Sequence, residues 1–173
     1  MKSFKFLLII TYILCLKSSL NAEIPHYLDF KFILNSSTAG KKAQDYLKNS
    51  LEKGLKNITE KEKKILNEEK EIINQKKILS PEDYKKKVSE LRKKVVNLQK
   101  ERKTLLETVA KKRSKAKEAL LKNLNPIVKD YMKEKKIRMV VDKKSILLAD
   151  SNLDVTKDIM DLLNKKLKSI NLD

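Results

Sequence analysis

Any chemistry in this chain has to be built around His26, Cys15, the Gly40-Lys41-Lys42 triplet or an acid pair such as Glu68-Glu69. His26 is the only histidine, so we read no Ser–His triad, no multi-histidine metal site and no histidine base supported by a second one. It reads as an ordinary strand or surface residue. The Gly40 triplet has the look of a phosphate loop. Such a loop needs a glycine where Asn35 stands and a hydroxyl after the lysine, where Lys42 stands. Gly40 belongs instead to the first turns of a helix that follows Ser36-Ser37-Thr38. Adjacent residues on a helix point to different sides, so Glu68 and Glu69 are solvated rather than paired. Cys15 is the sole cysteine and lies in an apolar run near the start, which leaves the rest of the chain without a disulfide, a thiol nucleophile or a cysteine metal site. The residues predict a protein that is not an enzyme and takes no metal or cofactor.

What remains is charge. The 173 residues carry a formal +18. Residues 1–22 resemble a cleavable export signal: Lys2 and Lys5 lead, Phe6 to Leu16 is apolar, and Ser18-Ser19-Leu20-Asn21-Ala22 is a small, polar exit. The apolar run is too short to span a bilayer, and Leu14 before Cys15 is not the small residue a lipid-attachment site prefers. The mature chain is expected to begin at Glu23 with no transmembrane segment. It loses Lys2, Lys5 and Lys17 and no acid, so its charge falls to +15. Anionic partners are attracted. Two clusters stand out: Lys76, Lys77, Lys85, Lys86 and Lys87, and then Lys111, Lys112, Arg113, Lys115 and Lys117. Each can be a solvated helix face. The first is the more suggestive, because repulsion there has no structural use.

The elements that must position these lysines are helical. Leu51, Ile58, Ile65, Ile72 and Leu79 fall at heptad steps, flanked by Leu47, Leu55, Leu66 and Ile73. Tyr84, Leu91, Leu98 and Leu105 form a second row, and Val88, Val95 and Val109 a third that Arg102 interrupts. Between the two stretches, Ser80 supplies an N-cap hydroxyl, Pro81 the first helical residue, and Glu82 and Asp83 the acids suited to a helix start. Residue 79 is pushed out of helical geometry by the proline. Residues 38–136 therefore predict an antiparallel coiled-coil hairpin with its tip at 79–83, and the apolar stripe is too thin for more than one partner helix, so the hairpin projects as an arm.

Residues 23–37 and 137–173 supply a small body. Ile24 to Phe30 predicts one strand. Arg138-Met139-Val140-Val141-Asp142 and Ile146-Leu147-Leu148-Ala149-Asp150 predict a β-hairpin turning at Lys143-Lys144-Ser145, and a helix is expected from an N-cap at Thr156 to about Leu172. Asn125-Pro126 is expected to kink the returning helix. The fold class is α+β, mostly α: a helical arm on a three-stranded body with a C-terminal helix. Three short strands leave open edges and an apolar face, which self-association into a shared barrel would cover. Leu28, Phe30, Val141 and Leu148 are the candidates for that shared core.

Leu28-Asp29-Phe30 followed by residues 34–43, and Met139-Val140-Val141-Asp142 followed by Ile146-Leu147-Leu148-Ala149 and Asp154-Val155-Thr156, resemble the Skp/OmpH family of periplasmic chaperones across the mature chain. Where family members often have a glycine turn before the second strand, this chain has Lys135-Lys136-Ile137. The resemblance implies a homotrimer whose strands build a barrel and whose three arms hang around a cavity like a jellyfish. It implies a periplasmic holdase for unfolded outer-membrane proteins. No family motif covers the tip, so the tip lysines Lys76, Lys77, Lys85, Lys86 and Lys87 are client-binding candidates on charge alone. A protein without a nucleotide motif holds passively. The rival reading is a basic coiled coil that binds nucleic acid or another polyanion; export from the cytoplasm would leave it no physiological nucleic acid. A structural coiled coil linking envelope layers would require an anchor that the sequence does not offer. The sequence leaves open whether anionic lipid or lipopolysaccharide also binds.

Overall fold

The structure is a computed structural model, and it describes residues 24–172; the expected export signal and Cys15 lie outside the described residues. Element order is β1 (His26–Leu28), α1 (Phe30–Ser36), α2 (Thr38–Gln75), α3 (Pro81–Lys135), β2 (Val140–Asp142) and α4 (Thr156–Lys166), with 3-10 turns at Lys143–Ser145 and Ser151–Leu153. At about 1.5 Å per residue, α2 is ~57 Å long and α3 ~82 Å.

Each helix starts where a side chain can satisfy free N–H groups. Asp29 Oδ1 accepts from the amide of Phe32 at 2.7 Å, and Ser80 Oγ accepts from Asp83 at 3.1 Å while donating to the Asp83 carboxylate at 2.7 Å. Ser37 does two jobs. It ends α1 and caps α2, with a fully buried hydroxyl that accepts from the Gly40 amide at 3.2 Å. That tight joint explains Gly40: a Cβ there would stand 2.0 Å from the Leu34 carbonyl oxygen. Gly40→Ala must push backbone against backbone, and we expect it to cost at least about 2 kcal/mol of stability, read from thermal unfolding at fixed protein concentration. An unchanged melting temperature would show that the α1–α2 joint has slack.

Helix α3 runs on through Pro126, whose ring lies on the exposed side. It ends at Lys136, the only non-glycine residue with positive φ among those described, at 57°. The Lys136 amide donates to the carbonyls of Lys133 and Met132, and that of Ile137 to Met132 at 2.8 Å. Lysine thus takes the left-handed cap that glycine usually supplies.

The sheet departs from expectation. β1 and β2 pair in parallel, Tyr27 opposite Val141, and the third contact is an isolated parallel bridge from Tyr27 to Asp154. There are two strands and a bridge among the described residues rather than three strands, and no β-hairpin at 138–150. Asp142 Oδ1 accepts from the Lys144 amide at 3.1 Å and starts a 3-10 turn, so residues 146–150 leave without folding back on β2. The parallel pair is possible because the whole arm serves as its crossover connection. Phe30 is the first residue of α1, not part of a strand.

Thr156 also differs: it is the first residue of α4, and Asp154 Oδ1 accepts from its amide at 2.9 Å while its own Oγ1 accepts from the Asp29 amide at 2.8 Å. Burial would raise the Asp154 carboxyl, but the Thr156 hydroxyl and amide and the Lys143 ammonium outweigh it and hold it below its usual range. Helix α4 ends at Lys166, and residues 167–172 continue without regular structure.

The body core gathers Leu28, Ile33, Leu124, Ile127, Ile159 and Leu163 from β1, α1, α3 and α4. At its margin the Tyr131 hydroxyl donates to Asp158 at 2.6 Å. Burial, and then that carboxylate, push Tyr131 up to about 12.

Candidate functional site

Helices α2 and α3 pack antiparallel, and the buried side chains between them include Leu47, Ile58 and Ile72 of α2 and Leu98 of α3. Gly54 lets the helices approach, since a Cβ there would meet Leu105 Cδ1 at 2.5 Å. One flank of this seam is ionic. Lys61 donates to Glu101 at 2.6 Å, Lys94 to Glu68 at 2.6 Å, and Lys87 to Gln75 Oε1 at 2.7 Å. The two ion pairs are exposed, so each adds at most about 1 kcal/mol and serves chiefly to fix register, while the Lys87–Gln75 contact is part-buried.

The other flank is apolar. A groove of about 600 Å³ opens there, lined by Ile73 and Glu69 of α2 and by Val88, Arg92, Val95 and Val96 of α3. Each residue turns a helix by about 100°, so Leu55, Leu66 and Ile73 fall within ~20° of one another on α2, as do Val88, Val95 and Leu106 on α3. The two rows therefore run along the same flank as the groove. Most of these side chains are left in water: Leu66 is 54% exposed, Ile73 58% and Leu106 51%, while Val88 is half-buried. The heptad reading sets Leu55, Leu66 and Ile73 beside the seam, and the structure has them there with much of their surface in water. Polar residues interrupt the flank: Glu69 and Arg92 line the groove, and farther along Arg102 Nη2 donates to Glu62 Oε1 at 2.6 Å. Arg102, which looked like an interruption of an apolar row, is a cross-arm tie.

At the tip, Lys76, Lys77, Lys85 and Lys86 are exposed, beside Ile78 at 84%. Lys76 Nζ stands 6.0 Å from the centroid of the Tyr84 ring. Lys87 is half-buried and occupied with Gln75, which makes it a clasp of the hairpin rather than a free cation.

The four body residues separate. Leu28 is buried in the chain's own core and Phe30 packs against it, while Val141 is half-buried opposite Tyr27. Leu148 is 91% exposed and Leu147 96%. Beside them the outer edge of β2 has no strand partner among the described residues. A groove of about 580 Å³ runs along it, floored by Leu28, Phe30, Leu124, Val128 and Val140.

A long two-helix arm rising from a small parallel pair is a distinctive outline, and the model of the family described as outer membrane protein (OmpH-like) matches residues 26–163. The chain belongs to the OmpH-like family. A solved structure with the same fold is that of a candidate outer membrane chaperone (OmpH-like) from Caulobacter crescentus: TM-score 0.80 at 19% identity, over 87% of this chain and 90% of that one. No curated protein matches the sequence. Among the described residues, this OmpH-like protein has no helix long and apolar enough to cross a membrane.

Proposed function

We propose that the protein is a periplasmic holdase that keeps unfolded outer-membrane polypeptides from aggregating, without ATP, in a cavity between the arms of a homotrimer. The observation that carries this reading is the two-sided arm: one flank tied by ion pairs, the other a row of Leu, Ile and Val left in water along a helix hairpin. A monomer that exposes such a row invites a partner. An unfolded chain with alternating apolar residues, as in outer-membrane strands, suits a shallow and interrupted row, because it gains from many weak contacts and needs no single deep pocket. Family membership and the fold shared with the Caulobacter protein support the same reading. Release needs only that the client gain more free energy elsewhere, as on insertion into a bilayer.

Assembly follows from the body. The bare edge of β2, the groove beside it and the exposed Leu147 and Leu148 complement each other between copies: residues 146–150 of one subunit can lie along β2 of the next. Three such exchanges close a ring and remove the open edges. The arms would then hang around a common axis with their apolar flanks toward it.

Charge is expected to govern capture and apolar contact to govern holding. Salt at about 1 M shortens the Debye length to ~3 Å, so capture of a urea-diluted, acidic outer-membrane protein should slow while suppression of its aggregation persists, as followed by light scattering. Replacing Lys76, Lys77, Lys85 and Lys86 by Gln should reproduce the high-salt behaviour at low salt; Lys87 is kept because it clasps the hairpin. Unchanged capture by that variant would reduce the tip lysines to a solvated surface. Failure of the parent protein to suppress aggregation at any salt would sink the holdase reading.

A further inference from the structure

We propose that residues 167–172 form a strap laid from the body onto the base of the arm, setting how stiffly the arm is joined. The segment leaves α4 without regular structure, and beyond Leu167, which packs against the body core, it carries two apolar side chains to successive places. Ile170 packs against both the body core and a second, smaller cluster. Leu172, 4% exposed, sits inside that second cluster with Ala43 and Leu47 of α2 and Ala116 of α3. Further along the arm, leucine and isoleucine fill the space between the two helices; here two buried alanines leave a notch, and Leu172 occupies it.

The strap has a firm root. Leu167 donates its amide to the Leu163 carbonyl at 2.8 Å, and Lys168 Nζ donates to the Asn164 carbonyl at 2.6 Å. Asn164 Oδ1 in turn accepts from the amide of Thr38, the first residue of α2, at 2.7 Å. The arm is joined to the body by two chain connections: the single residue Ser37 between α1 and α2, and the lower turns of α3. The strap is a third link beside them, and it crosses the level at which the arm could swing. Docked, it resists bending, because a swing would pull Leu172 out of its notch and wet Ala43 and Ala116. Undocked, the arm keeps the chain connections, the Asn164–Thr38 bond and the packing of Ala39 in the body core, and loses the contact higher on the arm. The proposal concerns this chain's mechanics and stands whether or not the holding reading does.

Hydrogen exchange of the full-length protein and its Leu172→Ser variant tests it. Amides of residues 41–47 and 109–119 should exchange about tenfold faster in the variant, while those of α4 and of the tip keep the parent rate. Leu172→Ala should give a smaller acceleration at the same places and preserves the test if the serine variant does not fold. A second measurement reads the mechanics directly. Spin labels at Lys77 and Lys157, both exposed, are placed in a Cys15→Ser background and the labelled chain is diluted with unlabelled protein; the tip-to-body distance distribution should widen when Leu172 is replaced. Unchanged exchange at the arm base, or an unchanged distribution, would overturn the strap. Equal acceleration through α4 would also overturn it, since Leu172 would then be an ordinary residue of the body core.

Discussion

Leu66, Ile73 and Val95 replaced together by Ser should abolish holding while leaving the arm folded. All three are on the apolar flank and already in water, so the folded chain loses little when they become polar. A bound client that covers each of them gains about 1 kcal/mol per side chain, hence about 3 kcal/mol per arm and roughly a hundredfold in affinity. Three arms around one client would deepen the loss, because weak contacts on linked arms reinforce one another. The control lies on the opposite flank. Lys61→Gln with Lys94→Gln removes two exposed ion pairs with Glu101 and Glu68 and should leave holding near the parent level. Circular dichroism checks that both variants keep their helices, and titration of a fluorescent, urea-unfolded outer-membrane protein reads affinity. Equal binding by the apolar-flank variant would show that the row of Leu, Ile and Val is not the contact surface.

Leu148→Asp is expected to dissociate the oligomer without unfolding the chain. Leu148 is 91% exposed within a single copy, so an aspartate there costs the isolated chain nothing by desolvation. If residues 146–150 lie against a neighbouring copy, the same aspartate is an unpaired charge in an interface, at about 3–5 kcal/mol per subunit. Val141→Asp is the less clean experiment, because Val141 is half-buried and pairs with Tyr27; it should damage the body as well as the assembly. Sedimentation velocity separates the outcomes. A parent trimer and a folded Leu148→Asp monomer are expected. A parent protein that sediments as a monomer would remove the shared barrel, and a variant that stays trimeric would move the interface away from residues 146–150.

Much of the helical part was legible because it is written in local terms. A hydroxyl, a proline and two acids at Ser80, Pro81, Glu82 and Asp83 specify a helix start whatever surrounds them, and the structure shows the hydroxyl of Ser80 bonded to Asp83 as that spacing implies. The same holds for Gly40 in the opening turn of α2. Heptad spacing identified Ile58, Ile72 and Leu98 as seam residues, because a period of about seven residues returns a side chain to nearly the same side of a helix.

The sequence by itself determined the long helices, the turn between them, the excess of positive charge and the absence of a histidine- or cysteine-based catalytic constellation. Tertiary structure decided the rest. Whether Leu66 or Ile73 faces the partner helix or water depends on about 100° of rotation, which the spacing of either helix alone does not settle. Whether Val140-Val141-Asp142 pairs with the segment after it or with His26-Tyr27-Leu28 depends on where a hundred-residue arm returns the chain. Whether Leu172 is a loose end or fills a notch depends on two alanines, Ala43 and Ala116, that are far apart in sequence. Local propensity acts over a few residues, while burial is a property of surfaces that meet only once the chain has folded back. For that reason the arm was readable from its own residues, whereas the apolar flank, the parallel pair and the strap appeared only in three dimensions.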